Sequence, residues 1–153
     1  MSVVFEAGKV DAKGLIAHFN DSTDFTLAQI ETLSDGEAPD VRGLDVLTVS
    51  EKGERFDLKA SLAIGKVTII DFGADWCVPC KVLEKRLVAY MRENEGIALR
   101  KVDIVNFESD VAKQHLQGVE GIPFVIIYDE SGRELYRGAG LIDEIKRMLP
   151  TGD

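Results

Sequence analysis

The chain contains only two cysteines, Cys77 and Cys80, and two residues separate them in the segment DFGADWCVPCK. A disulfide between cysteines this close encloses a very short loop, and such a loop restrains the unfolded chain little. The pair is therefore poorly suited to joining distant parts of a fold. Its spacing indicates either thiol chemistry or half of a metal site.

A zinc site would need two ligands besides Cys77 and Cys80, and the only other soft donors are His18 and His115. These histidines lie far from the pair in sequence and lack the paired spacing of zinc modules. Haem attachment needs a histidine where this chain has Lys81. Zinc binding and a purely structural, buried thiol pair stay as alternatives to redox chemistry.

The cysteines stand between a predicted buried strand and a predicted helix. Residues 67–72 (VTIIDF) form a short run rich in β-branched side chains, and residues 80–94 carry apolar side chains at helical spacing. A sulfur at the start of a helix meets free backbone N–H groups and the positive end of the helix dipole, which favour thiolate over thiol. We therefore expect Cys77 to be the nucleophile and Cys80 to be better shielded and to resolve a mixed disulfide. Pro79 fits the first helical turn and stiffens the ring between the thiols.

Two charged residues of the predicted sheet could assist this chemistry. Asp71 is the one acid in an apolar strand, where burial would raise its pKa and let it shuttle a proton to the resolving cysteine. Its side chain could instead reach water at the end of the strand. Lys101, on the next predicted strand, could face Asp71 or could be a charge at a sheet edge.

Other residues near the motif have both plain and functional interpretations. Trp76 could shield the thiol and offer a docking surface, or could belong to the core. Pro123 starts a predicted strand, where a trans proline is the ordinary case. His18 and His115 are interpreted as helix-surface residues, and residues 84–86 (EKR) as a solvated helix face.

The rest of the chain supplies further strands and helices. Strands are predicted at 46–49, 55–58, 67–72, 97–104, 124–128 and 134–137, and helices at 10–20, from 22, and at 80–94, 109–117 and 141–149. This order predicts an α/β fold with a mixed sheet and helices on both faces. Residues 1–43 are expected to be an N-terminal extension, helical and ending in a turn-rich linker, and residues 44–153 the main domain.

Composition narrows the partners and the location. The net charge of −9 and the isoelectric point near 4.7 disfavour nucleic acid and anionic membranes. No stretch approaches the ~18 to 20 apolar residues of a membrane span. The first residues do not form a signal peptide, so we expect a cytoplasmic protein, or a periplasmic one whose leader has been removed.

The segment IIDFGADWCVPCK resembles the thioredoxin superfamily, and GIP at 121–123 and the late Gly140 extend the resemblance. It covers residues 67–149 and implies a central sheet flanked by helices and dithiol–disulfide exchange. Cys77 would attack, Cys80 would resolve, and Pro123 would be cis and packed against the disulfide.

The same resemblance implies a surface for substrate peptides. The backbone of Ile122 would pair with the peptide, and Trp76, Val78, Pro79 and Pro123 would complete the substrate-binding surface.

Parts of the chain are similar to particular branches of the superfamily. Residues 36–67 resemble the entry to TlpA-type thiol oxidoreductases, and ADWCVPCKVLEK resembles the C-terminal domain of DsbD-type reductants. The chain departs from thioredoxins at Gly73, where they carry a tryptophan, at Lys85, near their helix-kinking proline, and at Val78, where they carry a glycine. These departures bear on redox potential and partner choice.

The sequence thus predicts a thiol–disulfide oxidoreductase acting on protein disulfides, and more as a reductant than as an oxidant. The resemblance implies no metal or organic cofactor. Electrons would come from a protein donor such as a thioredoxin reductase or a membrane thiol reductant. Two alternatives stay open. The first is a non-catalytic binding module on the same fold. The second is a peroxide reductase, which is disfavoured because the usual peroxidatic Thr-x-x-Cys context is missing before Cys77.

Overall fold

The computed structural model describes residues 37–152, whose strands form one five-stranded sheet in the order β1-β3-β2-β4-β5. The strands are β1 (Asp45–Ser50), β2 (Val67–Gly73), β3 (Ile97–Asp103), β4 (Phe124–Tyr128) and β5 (Glu134–Ala139). Strands β1, β3 and β2 run parallel, whereas β4 is antiparallel to both β2 and β5. The predicted mixed sheet is confirmed, with the segment before the cysteines as its central strand.

Helices cover both faces of this sheet, as the sequence predicts. They are α1 (Val78–Glu93), α2 (Asp110–His115) and α3 (Ile142–Lys146), and a single 3₁₀ turn spans Lys59–Ser61. Apolar side chains of α1 and α3 pack with one face of β2, β3 and β4, and those of α2 pack with the other face. The main elements of the prediction are therefore confirmed, with shifts of a few residues at their ends.

The central strand is buried on both faces. Ile69, Ile70 and Phe72 are fully inaccessible to solvent. A strand covered on both sides can carry a continuous apolar run rather than an alternating one, which is the pattern of residues 67–72. This strand leads directly into the loop that carries the cysteines, so a rigid element fixes where they begin.

The strand predicted at 55–58 is wrong. The backbone N–H of Phe56 donates to Oε1 of Gln114 at 3.3 Å, and Nε2 of Gln114 donates to the carbonyl of Phe56 at 3.1 Å. A side-chain amide of α2 thus takes the place of a neighbouring strand. The apolar spacing that suggested a strand comes from Phe56 and Leu58, which pack against the core as part of a loop.

Some predictions lie outside the described residues. The helices predicted at 10–20 and from residue 22 fall there, as does the first part of the linker. Residues 37–41 of that linker have no regular structure. Within residues 37–152, no helix combines the length and the apolar character that crossing a membrane requires.

Candidate active site

The two cysteines form a disulfide at the start of α1. Cys77 is the N-cap residue of the helix, and its Sγ accepts a hydrogen bond from the backbone N–H of Cys80 at 3.2 Å. The first N–H groups of a helix have no partner within the helix, so a sulfur can accept from one of them at this point. The predicted contact between Cys77 and a helical N–H is therefore present, and Pro79 lies in the first turn as expected.

The two sulfurs face different surroundings. Cys77 Sγ lies 3.9 Å from the carbonyl oxygen of Ile122, whereas Cys80 lines a cavity behind the disulfide. The two residues are nearly equally buried, with 4% and 6% of their surfaces exposed. The expectation that Cys80 is the better shielded of the two is wrong for this disulfide form.

The peptide bond between Ile122 and Pro123 is cis, as the resemblance implies. Gly140 leaves room for this proline, because a Cβ atom there would lie 2.8 Å from Cβ of Pro123 and 2.6 Å from Cδ2 of Leu83. The backbone N–H of Gly140 also donates to the carbonyl of Pro123 at 2.8 Å. The loop beside the disulfide is thus packed closely between α1 and the end of β5.

Gly73 allows a second close approach. A Cβ atom at this position would lie 3.2 Å from Cβ and 3.5 Å from Sγ of Cys80. Since contacts of 3.0–3.4 Å are tighter than most real Cβ contacts, a larger residue would press on the Cβ atom of the disulfide-bonded Cys80. The residue that departs from the thioredoxin pattern here therefore lies directly against the cysteine predicted to resolve.

Trp76 is a surface residue at the rim of the site. Its side chain is largely accessible, and its indole N–H donates to the carbonyl of Val105 at 2.6 Å. Val105 has a φ of 61°, an unusual conformation for a β-branched residue, and its N–H donates to Oδ1 of Asp103 at 2.8 Å. The core interpretation of Trp76 is therefore wrong. The sequence gives no signal for Val105, because its contact is made by the backbone.

A groove of about 1040 Å³ runs along the site on the side of Pro123. Ile122 and Pro123 form part of one wall, and Pro79 and Val82 of α1 form part of the other. The groove also contains charged side chains of both signs, Arg86, Glu120, Asp143, Glu144 and Arg147. Of the five residues expected to bind substrate, Ile122, Pro123 and Pro79 line this groove, whereas Trp76 and Val78 are exposed beside it.

Asp71 is buried behind the disulfide, as predicted from its place in an apolar strand. The residue is 6% exposed, and its Oδ1 has no hydrogen-bond partner within residues 37–152. The pKa of Asp71 is raised to about 7, mainly because the carboxyl group is buried; the negative charge of Glu84 adds to this rise and the positive charge of Lys101 opposes it. The alternative in which Asp71 reaches water is wrong.

Lys101 is the register partner of Asp71 across the parallel strands β3 and β2. Strand β3 lies between β1 and β2, so the interpretation of Lys101 as a charge at a sheet edge is wrong. Its Nζ contacts Oε1 of Glu84 at 2.7 Å. The predicted solvated helix face is wrong at Glu84, because its side chain is only 17% exposed and forms this ion pair. Its spacing of four residues from Cys80 was the available signal.

His115 is also placed differently from the prediction. Its ring packs against the rings of Phe56 and Phe72, at centroid distances of 5.0 and 5.7 Å, and its Nε2 is buried with no hydrogen-bond partner in the described part of the chain. Burial is the main cause that lowers the pKa of His115, and the charges of Arg137 and Arg55 act in the same direction. His115, the last residue of α2, is therefore half-buried against two aromatic rings rather than exposed on the helix surface.

The described residues bring no three His, Cys, Asp or Glu side chains together in a way that could hold a metal ion. His18, one of the two histidines considered as ligands, lies outside them.

The chain matches known proteins over the part that contains this site. The thioredoxin family model matches residues 45–150. A thiol:disulfide interchange protein DsbD of Ralstonia nicotianae is 31% identical over 139 residues, which are 84% of this chain and 22% of that protein. A thioredoxin of Chlamydia trachomatis is 38% identical over 84 residues, covering 55% of this chain and 78% of the relative.

Among solved structures, a mutant thioredoxin from Halobacterium salinarum is 27% identical to this chain. Its TM-score is 0.48, over 69% of this chain and 88% of that one. The chain thus spans only 22% of the length of the DsbD protein that it matches.

Proposed function

This chain belongs to the thioredoxin family, and from that premise we propose that it is an oxidoreductase that exchanges disulfides with protein substrates through Cys77 and Cys80. One observation carries the proposal. The two cysteines form a disulfide at the start of α1, with the N–H of Cys80 directed at Cys77 Sγ and the Ile122 carbonyl beside that sulfur. We further propose that residues 44–153 form the redox domain and residues 1–43 an extension to it.

The cycle begins with the reduced pair. The thiolate of Cys77 attacks one sulfur of a substrate disulfide, the bond between the substrate sulfurs breaks, and one of them leaves as a thiolate that takes a proton. Cys80 then loses its proton to the carboxylate of Asp71, and its sulfur bonds to that of Cys77. The second substrate sulfur leaves as a thiolate with the electron pair of its bond to Cys77 and takes a proton, and Asp71 returns its own proton to the solvent. The substrate disulfide is reduced to two thiols while Cys77 and Cys80 are oxidised to a disulfide.

The groove beside Pro123 gives a path for the substrate. The carbonyl of Ile122 lies 3.9 Å from Cys77 Sγ, so a peptide whose cysteine joins Cys77 would run alongside Ile122. Extended peptides bind well beside exposed backbone groups, which give affinity without requiring a particular sequence. Trp76 and Val78, which flank Cys77 in the sequence and are exposed, would contact the same partner.

A protein donor must return two electrons to the Cys77–Cys80 disulfide. A thioredoxin reductase or a membrane thiol reductant would each serve, and both transfer electrons by the same exchange chemistry. We propose that the chain reduces its substrates rather than oxidising them, because the residues between its thiols are the apolar Val78 and Pro79. A cytoplasmic location, or a periplasmic one, stays a prediction.

Trapping the mixed disulfide tests the function. With Cys80→Ser, an oxidised peptide containing one intermolecular disulfide should become covalently joined to Cys77, and dithiothreitol should release it. With Cys77→Ser, no adduct should accumulate. If the double variant, Cys77→Ser with Cys80→Ser, keeps every cellular function of the wild type, the chain is instead a binding module without redox activity. Consumption of peroxide by the isolated protein would favour a peroxide reductase.

A further inference from the structure

Lys101 and Asp71 are neighbours across the sheet, yet no ion pair joins them within residues 37–152. They are register partners in β3 and β2, and the Oδ1 atom of Asp71 is buried without a hydrogen-bond partner among the described residues. The Nζ atom of Lys101 contacts Oε1 of Glu84 at 2.7 Å instead. The cation best placed to neutralise the buried carboxyl group is therefore held by another carboxylate.

Helix α1 places Glu84 for this contact. Glu84 follows Cys80 by four residues, which puts both on the same face of the helix. Cys80, Asp71, Glu84 and Lys101 all line one cavity of about 440 Å³ behind the disulfide. The remaining charged residues around this cavity are Glu51, Asp75, Lys81, Lys85 and Asp103.

Glu84 acts on Asp71 in two ways that have the same sign. Its own negative charge disfavours ionisation of a nearby carboxyl group. Its ion pair also draws the ammonium group of Lys101 away, and a close ammonium group would favour ionisation. The pKa of Asp71 reflects both charges, since Glu84 raises it and Lys101 lowers it. Without Glu84, Lys101 would be free to turn towards Asp71.

We propose that Glu84 is a positioning residue whose ion pair with Lys101 sets the proton affinity of Asp71. The inference rests on the proposed function, in which Asp71 receives the proton of Cys80. In that step the S–H bond of Cys80 breaks and its sulfur bonds to Cys77, while the bond from Cys77 to the substrate sulfur breaks and leaves its electron pair on the substrate. An Asp71 carboxylate paired closely with Lys101 would be a weaker base for this proton.

The test is a titration of the Asp71 carboxyl carbon by NMR in the oxidised full chain, where the two cysteines carry no titratable thiol. The set comprises the wild type, Glu84→Gln, Lys101→Met and the double variant. We expect Glu84→Gln to lower the pKa of Asp71 from about 7 to about 6 or below. Lys101→Met should raise it. In the double variant, the effect of removing Glu84 should shrink to half or less of its size in the presence of Lys101.

Two results would overturn the proposal. An equal effect of Glu84→Gln with and without Lys101 would mean that Glu84 acts by direct repulsion alone. No effect at all would mean that it does not influence Asp71. Glu93→Gln is the matched control, because it removes the same charge from an exposed position at the end of α1, and it should leave the titration unchanged. If Glu84→Gln does not fold, Glu84→Ala carries the same expectation.

The pH profile of resolution supplies a kinetic readout. Decay of the mixed disulfide should depend on ionised Asp71, so Glu84→Gln should move the acid limb of this profile to lower pH by about the same amount as the titration. An unmoved acid limb contradicts the role of Glu84. The titration needs no activity, so a wild type that forms no mixed disulfide would overturn the proposed function and leave the result on Glu84 standing.

Discussion

The carboxyl group of Asp71 lies inside the sheet, with an oxygen that meets no hydrogen-bond donor in the described part of the chain. Its pKa is raised from 3.8 to about 7, mainly by burial. Below pH 3.8 the group is protonated in both the folded and the unfolded chain. Between these two values the unfolded chain releases the proton and the folded chain keeps it, so the free energy of unfolding falls as the pH rises towards 7. Above about pH 7 the carboxyl group is ionised in the folded chain as well, and the free energy of unfolding stays lowered by the full cost of the buried charge.

Asp71→Asn should therefore stabilise the protein at alkaline pH while slowing exchange. A rise of about three pH units in the pKa corresponds to about 4 kcal/mol at about 1.36 kcal/mol per unit, so the gain at about pH 8 should be on the order of a few kcal/mol. Urea unfolding of the oxidised protein at about pH 4 and about pH 8 measures it. Asp75→Asn, at an exposed position, is the matched control. A gain for Asp71→Asn that is equal at both pH values would contradict this account.

Gly140 is a second residue whose substitution should lower the stability of the protein. In Gly140→Ala the new methyl group would overlap Pro123 and Leu83 at 2.8 and 2.6 Å, so the proline loop or α1 must move. Overpacking of this kind destabilises by about 1 to 3 kcal/mol. Chemical denaturation measures the loss, and mixed-disulfide formation should slow as well. Gly121→Ala is the stability control, because its Cβ would meet nothing within 4 Å. Equal stability of the two variants would show that the loop adapts.

At the scale of elements, α2 holds the loop that the sequence predicts as a strand. Gln114 forms hydrogen bonds with both backbone groups of Phe56, and the His115 ring contacts the Phe56 ring in a tilted arrangement at a centroid distance of 5.0 Å. Phe72 extends this aromatic cluster towards Phe124, the residue after Pro123. A helix of six residues thus ties this loop to the core next to the active-site proline.

His115 makes this attachment sensitive to acid. Since burial lowers its pKa below 6.5, the unfolded chain binds the proton more readily than the folded one, and stability is lost as the pH falls below 6.5. His115→Phe should remove this loss. Thermal unfolding at about pH 7.5 and about pH 5 should show that the variant loses less stability on acidification than the wild type. Parallel losses in both proteins would mean that other groups bind the proton.

The elements that the sequence predicts well are those whose local pattern and final burial agree. The run at 67–72 is apolar throughout and becomes the central strand, and the apolar spacing after Cys80 becomes α1. The run at 55–58 has the same apolar spacing as a strand, but its hydrogen bonds go to a side chain 58 residues away in sequence. Local patterns cannot distinguish these cases, because the partner decides between strand and loop.

The same limit explains which site residues the sequence misses. The motif itself predicts Cys77 and Cys80, and an acid in an apolar strand predicts the burial of Asp71. Glu84, by contrast, belongs to a run of charges like any solvated helix face. Only the packing of α1 over β3 turns it towards Lys101. The local sequence pattern gives little information about a residue that acts through a tertiary contact.

At the scale of the whole molecule, the stability of the fold and the redox potential of the cysteines are linked. If the folded chain holds its disulfide more strongly than the unfolded chain does, the oxidised protein is the more stable form, by about 1.4 kcal/mol for each 30 mV between the two potentials. Strong oxidants have the opposite property, because their folded state stabilises the reduced pair. The direction of electron flow can therefore be read from two independent measurements.

Here the side chains between the thiols are apolar, and the contact seen at Cys77 Sγ from a helix N–H is the one from Cys80. From these apolar neighbours we expect a potential close to the value of about −270 mV for thioredoxin. Equilibration with dithiothreitol, followed by the fluorescence of Trp76, measures it. Urea unfolding should then find the oxidised protein more stable than the reduced one. A potential of about −120 to −180 mV, with the reduced form the more stable, would instead make the chain an oxidant or an isomerase.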